Sequence, residues 1–155
     1  MSFDWGGFTG SIVGVIGAYA IAVYQLHKQE EAQEPIKHKK TYELCIKLSQ
    51  QLNSAWSFFG TENFQFSEAF KNVVQFNNQM QTYLSEAIES DKRLVTLINV
   101  TIEGLSDISK KYSTKPKDYN HYMAYEGEVI VFTEVMRQKC HEIRDEIVSL
   151  NGEDF

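Results

Sequence analysis

Apolar residues fall into two rhythms along this chain, and the change from one to the other marks its organisation. From Phe8 to Leu26 no residue is charged. Ile12, Val13, Val15, Ile16, Tyr19, Ile21, Val23 and Tyr24 point all round a helix, and only Thr9, Ser11 and Gln25 are polar. A helix rising ~1.5 Å per residue over that stretch is long enough to cross a hydrocarbon core of ~30 Å. Trp5 and Tyr24 lie near its ends, where amphipathic rings favour the headgroup level. The pattern predicts a single transmembrane helix, with a buried N-terminal helix of a soluble domain as the alternative. A cleaved secretory signal fits less well, because residues 1–26 hold no Lys or Arg and do hold Asp4.

Beyond residue 26 the apolar positions become periodic. Cys45, Leu48, Leu52, Ala55 and Phe59 share one face of a helix expected over Ile36–Phe59, with Tyr42, Leu44 and Trp56 beside it and Gly60 as its stop. A heptad then runs through Phe66, Phe70, Val73, Asn77, Met80, Leu84, Ala87, Asp91, Leu94, Ile98, Thr101, Leu105 and Ile108. Asn77, Asp91 and Thr101 interrupt it. Asp91 matters most, because a carboxylate does not sit in a dry seam without a partner. The segment is therefore read either as two helices broken near Glu89–Lys92, with Ser90 as a cap, or as one helix exposed there. Residues 113–118 form a turn, Asp118 caps the next helix, and that helix runs from Tyr119 to Leu150. Its stripe is Val129, Phe132, Met136, Cys140, Ile143, Ile147 and Leu150.

The fold class expected is all-α: a single N-terminal transmembrane helix, then an elongated antiparallel three- to four-helix bundle with coiled-coil-like packing. The chain divides into an extracytoplasmic N-terminus and span at 1–26, a charged juxtamembrane connector at 27–40 and a cytoplasmic bundle at 41–155. Every Lys and Arg follows residue 26. The rule that positive charge stays inside therefore places the N-terminus outside the cell membrane and the bundle in the cytoplasm. Lys28, Lys37, Lys39 and Lys40 are candidates to face anionic lipid, or to be an ordinary positive flank. In general look the anchor resembles small single-pass proteins of Gram-positive bacteria and their prophages.

Within the span, Gly7, Gly10, Gly14, Gly17, Ala18 and Ala22 recur at intervals of three and four. Such a smooth stripe lets helix backbones approach closely, which predicts self-association. Tyr112, Tyr119, Tyr122 and Tyr125 gather near the last turn. They are read as a partner surface or as a satellite core with its hydroxyls at the surface. A net charge of −6 speaks against sequence-independent nucleic-acid binding. Cys45 and Cys140 lie on apolar stripes and read as reduced core residues.

No cofactor or metal is expected. Cys140-His141-Glu142-Ile143-Arg144-Asp145 lacks the second imidazole of a zincin helix, and Gln138 stands where a Glu-x-x-His pair needs a carboxylate. Nothing in the residues supports an enzyme. The function expected is a membrane-anchored interaction or scaffolding module that self-associates and recruits a cytoplasmic protein. The alternative is an oligomerising toxin- or holin-like effector that permeabilises the membrane through its glycine-striped span.

Overall fold

The computed structural model describes residues 14–23, 35–60 and 65–151. Every regular element among them is helical. α1 covers residues 14–23, and α2 is Pro35–Asn53, continued by a 3-10 turn at Ser54–Phe58. Then come α3 at Phe66–Thr82, α4 at Leu84–Ser90, α5 at Lys92–Ser113 and α6 at Tyr119–Asn151. α2 packs on α6 and α4, while α5 packs on α6, α3 and α4. With α3 and α4 acting as one rod, four rods close around a shared core.

Cross-helix pairs fix the directions. Lys47–Glu86 and Gln51–Gln79 join α2 to α4 and α3, and His38–Asn151 and Cys140–Cys45 join α2 to α6. Arg93–Glu146 and Ser109–Tyr125 join α5 to α6. In each set rising numbers meet falling ones, so the bundle is antiparallel throughout.

None of the thirteen heptad positions from Phe66 to Ile108 is exposed. The three polar interruptions each make hydrogen bonds, and of their buried side-chain atoms Asn77 Oδ1 is left without a partner. Asn77 donates to the Ile102 carbonyl (3.3 Å) and the Ser106 hydroxyl (3.1 Å), tying α3 to α5. Thr101 returns its hydroxyl to Leu97 O at 2.7 Å. Asp91 breaks the rod, caps α5 and holds Arg93. A polar seam residue costs little where its hydrogen bonds are made, as at Asp91 and Thr101, while the unpaired oxygen of Asn77 retains a desolvation cost.

Several boundaries differ from expectation. α2 gives way to a 3-10 turn after Asn53 because Ser54 and Ser57 donate to carbonyls three residues back, Gln51 O and Ser54 O, each at 2.7 Å. Those bonds tighten the winding. The heptad segment breaks twice, at Tyr83 and at Asp91. Tyr83 N–H donates to Met80 O, also three residues back. The cap of α5 is Asp91, not Ser90, whose hydroxyl returns to Glu86 O at 2.8 Å. Asp118 does cap α6, accepting from His121 N–H at 3.0 Å. α2 begins at Pro35, so residues 35–40 of the expected connector belong to the bundle.

The single-pass membrane placement is overturned. No described helix is long and apolar enough to cross a membrane. The described part of the apolar segment, α1, instead lays one face on the bundle. Tyr19 is 3 % exposed there, with Val15, Ile16 and Val23 packed beside it. The physical reason is that an uncharged helix, apolar all round, satisfies a protein core as readily as lipid. The orientation across a cell membrane, with the N-terminus outside and the bundle in the cytoplasm, goes with the span.

Candidate interaction site around the N-terminal helix

α1 rests where α5 begins and α6 ends. Its Tyr19, Ala20 and Val23 form one wall of a groove of about 300 Å³, and Ile143, Glu142, Lys139, Glu146 and Arg93 form the other. Positions 139, 142, 143 and 146 share a face because α6 repeats every 3.6 residues. Ile143 supplies the apolar floor, and Lys139 is held along the rim by Glu142 at 2.8 Å.

The groove stands on a buried ionic cluster. Asp91 is 1 % exposed and Arg93 5 %. Asp91 Oδ1 accepts from the Arg93 backbone N–H at 2.8 Å, and its Oδ2 accepts from Nη2 at 2.7 Å. Arg93 Nε bridges both carboxylate oxygens at 3.1 and 3.0 Å, and Nη1 donates to Glu146 Oε2 at 2.9 Å. One arginine thus clamps the α4–α5 break to the last turns of α6. Burial works against its charge, but the bonds and charges of Asp91 and Glu146 outweigh burial and hold the guanidinium above its ordinary value. The Tyr19 hydroxyl is raised well above the ordinary phenol range, first by burial and then by the nearby Cys140.

The opposite face of α1 is open. Gly14, Gly17, Ala18 and Ile21 follow helical steps of three, one and three, and all four are exposed, Ile21 at 62 %. A Cβ added at Gly14 or Gly17 would meet nothing within 4 Å. α1 therefore has two apolar faces, one used and one bare.

The other expected site residues are scattered. Gly7, Gly10 and Lys28 lie outside the described residues, and Ala22 is half-buried. Lys37, Lys39 and Lys40 are exposed on the first turns of α2, with Lys40 Nζ 3.7 Å from Glu89. Of the tyrosines only Tyr119 is exposed. Tyr112, Tyr122 and Tyr125 are core, so the partner surface they were to form is not a surface.

Those three rings pack at the far end of the bundle. Phe59 and Phe66 meet Tyr122 edge-on at 5.6 and 5.3 Å, and Phe59 meets Tyr125 at 5.1 Å. Lys117 Nζ sits 4.6 Å over Phe66. The hydroxyls find partners inside, which lets the rings stay buried. Tyr125 bonds Ser109 at 2.8 Å, and Tyr112 donates to Glu128 at 2.8 Å, a carboxylate Lys111 also holds. Burial pushes the Tyr125 hydroxyl up to about 12.

Sequence reasoning flagged Asp91 as needing a partner and did not name Arg93. The signal was present: Asp followed two residues later by Arg, directly before an apolar run, joins a cap to a cation that can fold back on it. Comparison with protein-family models, with curated proteins and with solved structures gives no match.

Proposed function

We propose that the chain is a helical interaction module that self-associates, and recruits a protein partner, through the bare face of α1. The observation that carries this reading is the uncharged surface of Gly14, Gly17, Ala18 and Ile21 on a helix whose other side is already anchored. A contiguous apolar face in water is removed from solvent when a matching surface meets it. Glycine and alanine let that surface approach closely, and Ile21 supplies a knob. Anchoring through Tyr19 contributes by presenting the face in a fixed orientation, which lowers the ordering cost of association.

Light scattering after size exclusion tests this with the full chain. The wild type is expected to show a mass that rises with concentration towards a dimer or higher form. Ile21→Glu, at a side chain 62 % exposed, is expected to weaken association by about tenfold or more, since a buried isoleucine contributes ~1.5–3 kcal/mol. A wild type monomeric at all concentrations, or an Ile21→Glu protein that associates equally well, contradicts the self-association.

A further inference from the structure

The chain holds two cysteines, 95 positions apart, and the fold brings them together. Cys45 lies on α2 and Cys140 on α6, both fully buried on adjoining antiparallel helices. Cys140 Sγ donates to the Cys45 carbonyl oxygen at 3.2 Å. That contact sets the two residues against each other across the α2–α6 seam, the adjacency that a disulfide requires. Neither thiol is bridged in this structure.

We propose that Cys45 and Cys140 are an oxidant-responsive pair that closes into an intrachain disulfide and staples α2 to α6. The oxidant class is a peroxide. Cys140 sulfur attacks one peroxide oxygen, so an S–O bond forms as the O–O bond breaks. The sulfur becomes a sulfenic acid, and the other oxygen leaves as water with the thiol proton. Cys45 sulfur then attacks Cys140 sulfur. The S–S bond forms, the S–O bond breaks, and a second water carries off the Cys45 proton. Two thiols and one hydrogen peroxide give one disulfide and two waters.

The order of attack has a physical basis. The hydrogen bond to Cys140, together with burial, pushes the Cys45 thiol far up, so Cys140 is the sulfur that ionises first. Burial keeps both thiols from a second molecule, which favours closure within one chain. The same burial makes the reaction as slow as the local opening of the α2–α6 seam.

The test treats the full-length reduced protein with hydrogen peroxide, then blocks remaining thiols under denaturing conditions and measures intact mass and linked peptides. The expected product has lost two hydrogen atoms, takes up no blocking reagent and yields one peptide pair joining Cys45 to Cys140. Its melting temperature is expected to rise by ~5–10 °C, as for a bridge closing a long loop. Cys45→Ala should leave Cys140 to proceed to sulfinic acid, with no linked peptide. Two blockable thiols after treatment, or disulfides found only between chains on a non-reducing gel, would overturn the proposal.

Discussion

Arg93→Leu is expected to lower the free energy of unfolding by about 3–5 kcal/mol, because it strands the Asp91 carboxylate in the interior without its cation. The magnitude follows from burial. Side-chain exposure in the Arg93–Asp91 pair is 6 % and 0 %, so solvent does not screen the charge that remains. Glu146 is the more exposed partner, and Glu146→Gln should cost much less, near the ~0–1 kcal/mol of a surface pair. Asp91→Asn keeps an oxygen for the cap and removes the charge. In the Arg93→Leu background it should therefore recover part of the loss, a non-additivity that urea denaturation of the two single variants and the double variant would measure. Additive losses would show that the two side chains do not act as one unit.

The second large effect is expected at Gly104. A glycine inside a helix ordinarily costs ~0.5–1 kcal/mol relative to alanine, so Gly104→Ala would stabilise a helix with room for a methyl. Here that methyl would enter the Phe132 ring, with both Cε atoms at 2.8 Å. Gly104 is buried on α5 and Phe132 is buried on α6, so the ring has nowhere to retreat. Gly104→Val should destabilise by about 1–3 kcal/mol or more, as overpacked cores do. Phe132→Leu should relieve part of that cost when the two changes are combined. The sign of Gly104→Ala in thermal unfolding decides the matter: a gain in stability would mean that α5 and α6 do not approach as closely as described.

Periodicity was informative where one face of a helix meets one core. The heptad from Phe66 to Ile108 is buried or half-buried at every position, and the α6 stripe is buried from Val129 to Ile147. Only Leu150, at its end, is exposed. Capping chemistry was legible at Asp118, where a short carboxylate precedes the helix. The fate of residues 14–23, the described part of the apolar segment, was not. Hydropathy reports that a surface avoids water and carries no information on whether lipid or protein replaces it. Tyr19 held the only local hint, a mid-segment hydroxyl needing company, and its ring lies against the ionic end of the bundle. The tyrosine cluster was legible as a satellite core, but not the place of its hydroxyls, for a related reason. A surface reading of Tyr112 and Tyr125 follows from their polar tips, but Glu128 and Ser109 satisfy those tips inside the fold. Both partners lie more than fifteen positions away, beyond the reach of local pattern.

The seating of α1 on the bundle underlies the interaction site, its bare outer face and the correction to the membrane placement. Nuclear Overhauser contacts from the Tyr19 ring in the full-length protein measure it most directly. The predicted result is cross-peaks from that ring to the Ile143 methyl groups, with the Tyr19 hydroxyl still protonated at pH values where exposed tyrosines ionise. No cross-peak to α6, with a Tyr19 hydroxyl titrating as in a free peptide, would contradict the account.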